Sequence, residues 1–264
     1  MGSWLGLEEK VAIVTGGSSG IGRAIVTALL DNGSIVYNLD LKDQPLDHDH
    51  YRFMELDVTD AVAVKQTVDM VVEKESKIDV LVNNAGINLP RLLVDVKGEK
   101  PEYEMDEKDL DVMFNVNLKG PVWLSQAVAK HFISQKSGII VNVSSEAGQE
   151  GSEGQSIYSA TKAALIGFTR SWAKELGKHN VNVVAIAPGI LEETGLRTPQ
   201  YEEALAYSRN TTVDRLNGDY SKSIPLGRVG KLTEIADLVC YLSSDKASYI
   251  TGTTVNISGG KSRG

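Results

Sequence analysis

A tyrosine and a lysine one helical turn apart are the side chains best suited to acid–base chemistry in this sequence. Tyr158 and Lys162 stand at positions i and i+4, so they share one face of the helix predicted there. A free tyrosine has a pKa of about 10, and an adjacent ammonium group lowers this value by favouring the phenolate. We therefore expect the pair to transfer a proton near neutral pH.

Two further polar residues fit the same chemistry. Ser145 follows the fifth predicted strand, and its hydroxyl can bind a substrate oxygen and stabilise developing charge. Asn117 lies in the long helical pattern before that strand, where its backbone or side chain can hold a water that relays protons. Each of these residues also fits a structural role, such as a strand-end cap or a solvated helix position. The hypothesis of a catalytic group therefore rests on their combination and order.

A glycine-rich string supplies the second functional element. Residues 15–22 (TGGSSGIG) follow the first predicted strand and open the first helix. Glycine permits a tight turn and a close backbone approach to a pyrophosphate, and helix N–H groups favour its negative charge. An ordinary strand–helix turn is the alternative, but the flanking elements favour a dinucleotide site. The predicted contacts in this string are Gly16, Ser18, Ser19, Gly20, Ile21 and Gly22.

A carboxylate at the end of the second predicted strand indicates which dinucleotide the site takes. Asp40 can accept hydrogen bonds from both hydroxyls of an adenosine ribose, and it would repel a 2′-phosphate. No Arg or Lys occupies residues 17–19, and Lys42 is the nearest cation after the strand. We therefore expect NAD rather than NADP. The alternative is that Asp40 is a solvated strand-end carboxylate.

The ends of later strands complete the predicted site. Asp57 and Val58 end the third strand at a depth suited to the adenine edge. Two amides and two small residues after the fourth strand fit a loop beneath the cofactor: Asn83, Asn84, Ala85 and Gly86. Lys162 can also hold the nicotinamide ribose beside Tyr158. The positive nicotinamide is expected to lower the Tyr158 pKa together with the ammonium group. The combined chemistry is proton transfer coupled to hydride transfer.

The spacing of apolar segments predicts the scaffold. Short runs rich in β-branched residues alternate with longer helical patterns, such as residues 109–135. We expect an α/β fold, with a single Rossmann-type domain over residues 1–264 and a doubly wound parallel sheet of about seven strands carrying helices on both faces. Long segments near 88–106 and 190–227 follow strand ends, where such sheets bind ligands, and are predicted to cover the substrate.

Composition and charge exclude several classes of protein. The 264 residues are 42% hydrophobic and 23% charged, which excludes a collagen-like or mostly disordered chain. A net charge of −8 argues against a nucleic-acid partner, and no apolar run is long enough to span a membrane. The single cysteine, Cys240, and the absence of a signal-peptide pattern predict a cytoplasmic protein. His48 and His50 lack further ligands, so no metal site is expected.

The sequence resembles the short-chain dehydrogenase/reductase family over essentially its whole length. In order, the residues that carry the resemblance are TGGSSGIG at 15–22, NNAG at 83–86, NVN at 115–117, the Ser145/Tyr158/Lys162 spacing, and Pro188-Gly189. The resemblance implies a seven-stranded Rossmann sheet, a Ser–Tyr–Lys–Asn catalytic group and a homotetramer. It also implies that Pro188, Gly189 and Ile190 line the nicotinamide. The family's threonine five residues after this proline is replaced here by Glu193, and Thr194 follows it.

Four local strings narrow the expected substrate. Residues 88–95, 145–156, 170–178 and 188–198 resemble a branch of the family that interconverts D-sorbitol 6-phosphate and D-fructose 6-phosphate with NAD(H). A small-molecule sugar phosphate needs fixed cations, preferably arginine. Arg91 and Arg197 are the predicted phosphate ligands, although either could be a solvated loop residue. Glu146, beside Ser145, is predicted to accept hydrogen bonds from polyol hydroxyls, with simple exposure as the alternative.

Two other functions remain open at this point. The same chemistry could act on an unphosphorylated polyol or another secondary alcohol. A protein of a different class, a non-catalytic NAD-binding sensor or scaffold, would keep the glycine-rich string and lose the Tyr–Lys pair. This chain contains both features, which argues against the sensor.

Overall fold

Seven parallel strands form one sheet in the computed structural model, which describes residues 4–216 and 220–262. The sheet has the order β3-β2-β1-β4-β5-β6-β7. Its strands are β1 Val11–Thr15, β2 Ile35–Asp40, β3 Tyr51–Glu55, β4 Val80–Asn83, β5 Gly138–Val143, β6 Val181–Pro188 and β7 Thr254–Ile257. The ends of the predicted domain, residues 1–3 and 263–264, lie outside the described residues, as do residues 217–219 of the second predicted substrate-covering segment.

Nine α-helices accompany the sheet in the part of the chain that the structure describes. They are α1 Gly20–Asp31, α2 Ala61–Glu75, α3 Glu107–Phe114, α4 Gly120–Gln135, α5 Ala147–Glu150, α6 Ser156–Leu176, α7 Pro199–Ser208, α8 Val213–Leu216 and α9 Leu232–Leu242. A π-helical turn, Asn115–Lys119, separates α3 from α4. The single helix predicted over residues 109–135 is therefore wrong in one respect, since an i→i−5 turn interrupts it.

Both faces of the sheet are covered by apolar side chains. All five residues of β1 are buried. Ala12 and Val14 pack into one core cluster with α1 and α9, while Val11 and Ile13 pack into a second cluster with α2 and α4. Alternate residues of a strand point to opposite faces, so a strand covered on both sides must be apolar throughout. The predicted doubly wound α/β sheet with helices on both faces is confirmed.

The strand order places a crevice beside β1. The chain runs outward from β1 through β2 to β3, and then crosses to β4 on the other side of β1. The loops after β1 and β4 therefore diverge at the carboxyl ends of these strands. Such a switch point is where doubly wound sheets bind ligands.

A glycine lets the short helix α5 touch the long helix α6. A Cβ atom on Gly148 would lie 2.7 Å from the carbonyl carbon of Lys162 and 2.8 Å from the amide nitrogen of Ala163. Real Cβ atoms do not approach backbone this closely, so any larger residue would push the two helices apart. Since α6 carries both Tyr158 and Lys162, this contact sets the position of the predicted catalytic pair.

We expect Gly148→Ala to lower the free energy of unfolding by about 1–3 kcal/mol, because the added methyl group overpacks the α5–α6 contact. Urea denaturation measures this change. Gly167→Ala is the matched control, since Gly167 is an exposed α6 residue whose Cβ would contact nothing within 4 Å. That substitution should stabilise the protein by up to about 1 kcal/mol through helix propensity. If Gly148→Ala is as stable as the wild type, the close contact between α5 and α6 does not require glycine at position 148.

Candidate active site

A cavity of about 630 Å³ opens at the carboxyl ends of the central strands. Its wall combines the glycine-rich turn, the ends of β2 to β6, the start of α6 and the segment after β6. The predicted site residues that line it are Gly16, Ser19, Gly20, Ile21, Gly22, Asp40, Asp57, Val58, Asn84, Ala85, Gly86, Ser145, Glu146, Tyr158, Lys162, Pro188, Gly189, Ile190 and Arg197. Four predicted residues do not line it: Ser18, Asn83, Arg91 and Asn117.

The glycine-rich turn forms a cradle that side chains would fill. Gly16 has a φ of +65°, and a Cβ atom there would lie 3.0 Å from the Cα atom of Ala85. A Cβ atom on Gly22 would collide with the carbonyl oxygen of Gly16. The first turn of α1 carries no acidic residue, so its N–H groups face the cavity without a competing carboxylate. These features fit the pyrophosphate of a dinucleotide.

Asp40 lies on the cavity wall with its carboxylate held by backbone donors. Its Oδ2 accepts a hydrogen bond from the Ser18 amide at 3.0 Å, and its Oδ1 accepts one from the Leu41 amide at 2.7 Å. An ionised carboxylate accepts about four hydrogen bonds, so both oxygens keep capacity for ribose hydroxyls. The orientation of Asp40 is therefore fixed by the same turn that would hold the pyrophosphate.

Ser145, Tyr158 and Lys162 come together where β5 meets α6. The Lys162 Nζ lies 5.7 Å from the centre of the Tyr158 ring and donates a hydrogen bond to the Val143 carbonyl at 2.8 Å. The Ser145 side chain lies close enough to Tyr158 to act on its pKa, and both residues line the cavity. Two hydroxyl groups and an ammonium group thus share one wall of the cavity.

Burial shifts the pKa values of both Tyr158 and Lys162. Burial raises the pKa of Tyr158 to about 12, although the Ser145 side chain acts to lower it. Burial also lowers the pKa of Lys162 to about 8. For the protein's own groups alone, desolvation of the phenolate outweighs the neighbours, while the lowering expected with a positive nicotinamide beside Tyr158 stays a prediction. Tyr158 holds its proton at neutral pH.

Asn117 lies behind the cavity in the π-helical turn. Its Oδ1 accepts from the Ile87 amide at 2.8 Å, and its Nδ2 donates to the Ile87 carbonyl at 2.8 Å and to the Thr161 hydroxyl at 3.2 Å. Both amide donors are used, and the side chain is fully buried. Asn117 therefore ties the loop after β4 to α6. Because the side-chain amide is occupied, a water held by Asn117 would bind its backbone, which is one of the two alternatives predicted from the sequence.

Ser18 and Asn83 shape the cofactor half from outside the cavity. The Ser18 hydroxyl donates to the Lys42 carbonyl at 2.6 Å and accepts from the Asn38 amide at 2.9 Å. Asn83 is buried, and its Nδ2 donates to Ser125 and Asn142. Neither residue lines the cavity, and the Ser18 hydroxyl and the Asn83 Nδ2 bind protein groups, so cofactor contacts of these two residues stay predictions.

Asn84 holds the glycine-rich turn directly. Its Nδ2 donates to the carbonyls of Thr15 and Gly16 at 2.9 and 3.1 Å. In return, the Thr15 hydroxyl accepts from the amides of Asn84 and Ala85. The loop after β4 thus fixes the turn after β1 across the crevice.

The two long segments have different positions. The segment after β6 lines the cavity from Ile190 to Arg197 and again through α7. Of residues 88–106, only Asn88 lines it. The rest of that segment packs outside α7, where Asp95 accepts a hydrogen bond from the Tyr207 hydroxyl at 2.8 Å. That residues 88–106 cover the substrate stays a prediction; in the structure, Asp95 of this segment contacts α7.

The two predicted phosphate ligands, Arg91 and Arg197, differ in their position relative to the cavity. The Arg91 guanidinium binds the Asp109 carboxylate at 2.5 and 3.2 Å and lies outside the cavity. The structure therefore does not support Arg91 as a substrate ligand. Arg197 lines the cavity but pairs with Glu202 at 3.2 Å. Glu146 also lines it, and its Oε1 accepts a hydrogen bond from the Lys261 Nζ at 2.6 Å.

Several residues on the cavity wall have no clear signal in the sequence. They are Gln155, Tyr201, Arg209 and Lys261. Tyr201 accepts a hydrogen bond from the Gln155 Nε2 at 2.7 Å. The start of α7 is visible beforehand, because Thr198 caps the Tyr201 amide and Pro199 occupies the first turn. Which face of α7 meets the cavity depends on the tertiary contacts.

A metal site and a membrane span were also sought in residues 4–216 and 220–262. No group of three His, Cys, Asp or Glu side chains there could hold a metal ion. None of the helices in that part of the chain is both long and apolar enough to cross a bilayer.

Comparisons with known proteins agree with this geometry. The family model for short chain dehydrogenases matches residues 10–204. The chain is 57% identical over 267 residues to a sorbitol-6-phosphate 2-dehydrogenase of Klebsiella pneumoniae, and the match covers all of both chains. Among solved structures, an aldohexose dehydrogenase of Thermoplasma acidophilum matches with a TM-score of 0.83 and 30% identity, over 98% of this chain and 96% of the other.

A second solved structure was determined with a bound nucleotide. The 3-ketoacyl-(acyl-carrier-protein) reductase of Brucella melitensis, complexed with NADH, matches with a TM-score of 0.81 and 26% identity, over 97% of this chain and 99% of the other. The family model and this neighbour indicate a nicotinamide cofactor. On the strength of its fold and its motifs, the chain belongs to the short chain dehydrogenase family of oxidoreductases.

Proposed function

We propose that this protein is an NAD-dependent dehydrogenase that interconverts D-sorbitol 6-phosphate and D-fructose 6-phosphate. The observation that carries the substrate is the 57% identity, over the full length of both chains, to a sorbitol-6-phosphate 2-dehydrogenase. The geometry supports it, because one cavity of about 630 Å³ joins the glycine-rich turn to the Ser145 and Tyr158 hydroxyls. A volume of this size suits a cofactor end and a small substrate.

The protein's own groups supply the proton chemistry. A bound nicotinamide accepts or donates the hydride at C2 of the sugar. In ketose reduction, the Tyr158 hydroxyl donates its proton to the C2 oxygen, and the Ser145 hydroxyl stabilises the charge that develops there. The raised pKa of Tyr158 keeps this proton in place at neutral pH. In polyol oxidation, Tyr158 must accept the proton, and the Lys162 ammonium 5.7 Å from its ring favours the phenolate.

The cofactor would lie along the predicted residues that line the cavity. Asp40 would accept hydrogen bonds from the adenosine ribose, and the glycine-rich turn would receive the pyrophosphate. Asp57 and Val58 would lie beside the adenine, and Lys162 would hold the second ribose. The residues of the loop after β4 and the end of β6 that line the cavity would hold the nicotinamide: Asn84, Ala85, Gly86, Pro188, Gly189 and Ile190.

The assembly and location remain proposals as well. A homotetramer is proposed from the family resemblance, and sedimentation velocity of the purified protein measures it. A cytoplasmic location is proposed from the single cysteine, Cys240, which is free and buried. Fractionation of cells that express the protein tests this location.

With fructose 6-phosphate as substrate, we expect saturable oxidation of NADH, measured as loss of absorbance at the nicotinamide band. Fructose should give little turnover, because it lacks the phosphate that cavity cations would bind. NADPH should also be a poor cofactor, because Asp40 repels its 2′-phosphate. Equal turnover of fructose and its phosphate ester would favour the second candidate function, a dehydrogenase of unphosphorylated polyols. No oxidation with either sugar would contradict the substrate assignment.

We expect Tyr158→Phe to lower kcat by at least about a hundredfold, because the ring remains but the transferable proton is lost. Steady-state assays measure the rate, and NADH fluorescence titration should show unchanged cofactor binding. Tyr249→Phe is the matched control, since Tyr249 is a fully exposed side chain outside the cavity. Wild-type turnover in Tyr158→Phe would remove this residue from the mechanism. It would also favour a mechanism in which Tyr158 is not the proton donor.

We expect Asp40→Ala to lower the preference for NADH over NADPH by at least about tenfold, because the ribose acceptor and the like-charge repulsion are both lost. The ratio of kcat/KM values for the two cofactors measures the change. Asp47→Ala serves as the control, because Asp47 is exposed and lies outside the cavity. If the ratio stays at the wild-type value in a folded Asp40→Ala protein, the ribose assignment is wrong.

A further inference from the structure

The cations on the cavity wall differ in their partners. Among the described residues, these cations are Lys162, Arg197, Arg209 and Lys261. Arg197 is paired with Glu202 at 3.2 Å, and Lys261 is paired with Glu146 at 2.6 Å. Arg209 has no carboxylate within ion-pair distance in residues 4–216 and 220–262. Lys162 belongs to the proton-transfer group. Of the other cavity cations in the described part of the chain, Arg209 is therefore the one whose charge is not neutralised by a carboxylate.

The Arg209 guanidinium also keeps hydrogen-bond donors available. Its Nε donates to the Glu153 carbonyl at 3.3 Å, and its Nη2 donates to the Ser152 hydroxyl at 2.9 Å. Within the described part of the chain its Nη1 has no hydrogen-bond acceptor. A guanidinium has five N–H donors in a planar fork that matches two phosphate oxygens. The half-buried position of Arg209 reduces the screening of its charge by water.

Tyr201 links Arg209 to the reacting end of the cavity. Burial raises the pKa of Tyr201, and among the charged groups Arg209 acts most strongly to lower it. Tyr201 in turn is close enough to Tyr158 to raise the pKa of that residue. Tyr158, Tyr201 and Arg209 all line the same cavity, so the proton donor and the Arg209 guanidinium face the same space. A chain-like substrate oxidised at C2 carries its phosphate at the opposite end, on C6.

The segment 88–106 fixes Arg209 in place from outside. Arg209 immediately follows α7, whose Tyr207 hydroxyl donates to Asp95 at 2.8 Å. Asp95 is itself held by the amides of Lys97 and Lys100 at 3.2 and 2.9 Å. The Lys97 Nζ also donates a hydrogen bond to the side chain of Asn210, the residue after Arg209. A guanidinium whose position is already fixed by the fold loses little further conformational entropy when it binds an anion.

We propose that Arg209 is the residue that binds the substrate phosphate and that selects a sugar phosphate over the unphosphorylated sugar. This inference rests on the proposed function and adds the residue that determines its specificity. It also replaces Arg91, whose guanidinium is neutralised by Asp109 outside the cavity. The role of residues 88–106 is then to position Arg209 through α7.

The test compares kcat/KM for D-sorbitol 6-phosphate and D-sorbitol in the wild type and in Arg209→Gln, with NAD as cofactor. We expect the selectivity for the phosphate ester to fall by at least about tenfold, mainly through KM, with an unchanged KM for NAD. Arg209→Lys should recover part of this selectivity, since it keeps the charge but lacks the fork. Arg228→Gln is the matched control, because Arg228 is exposed, paired with Glu234 and outside the cavity.

Inorganic phosphate provides a second measurement that needs no turnover of D-sorbitol. It should inhibit the wild type competitively against D-sorbitol 6-phosphate, and its inhibition constant should rise at least about tenfold in Arg209→Gln. Wild-type selectivity and inhibition in a folded Arg209→Gln protein would overturn the inference. Loss of selectivity in Lys261→Gln instead of Arg209→Gln would overturn it as well, because the phosphate would then bind at the Glu146 end.

Failure of the proposed function is distinguishable from failure of this inference. If the wild type oxidises neither compound, the proposed function is wrong. Calorimetric titration with inorganic phosphate then decides the Arg209 assignment, since equal affinities of wild type and Arg209→Gln contradict it. If Arg209→Gln does not fold, as judged by its melting curve, Arg209→Lys takes its place in both measurements. A smaller loss in the same direction is then expected, and no loss contradicts the assignment.

Discussion

The buried ammonium group of Lys162 is the constraint on which the active site depends. A charged group removed from water must be hydrogen-bonded, and the Val143 carbonyl at the end of β5 accepts from its Nζ. The backbone at Lys162 is held as well, because its carbonyl accepts from the Ser144 hydroxyl at 2.7 Å and its carbonyl carbon packs beside Gly148. These contacts fix α6 against the end of β5. Ser145, Tyr158 and Lys162 meet because this junction is rigid.

The remaining supports act on the same junction from further out. Asn117 ties α6 to the loop after β4, and Asn84 ties that loop to the glycine-rich turn after β1. Hydrogen-bonded side chains therefore link the cofactor half of the cavity to the proton-transfer group. The supporting polar groups are buried and largely paired, so a small displacement of one strand end would leave a polar group without a partner. Such a network keeps the reacting groups aligned.

The sequence was sufficient to predict the sheet and the side chains that the fold brings together where β5 meets α6. Strands buried on both faces, such as Val11–Thr15, must be apolar along their length, which makes them visible without a structure. The glycines of the turn are also visible, because the positive φ of Gly16 favours glycine and a side chain does not fit the close packing at Gly22. The π-helical turn at Asn115–Lys119 was not predictable, because the apolar pattern of a helix is nearly unchanged by one wide turn.

The sequence by itself determined the family, the order of elements and the choice of Ser145, Tyr158 and Lys162 as the group proposed for proton transfer, since these depend on residue type and local spacing. Only the tertiary structure decided how each charged group is used. The sequence favours Arg91 as a phosphate ligand and does not single out Arg209, but the fold places a carboxylate beside Arg91 and none, within the described residues, beside Arg209. It also showed that burial raises the pKa of Tyr158 when only the protein's own groups act on it. Ion pairing and desolvation depend on distances between segments that are remote in the chain, and these distances exist only once the protein has folded.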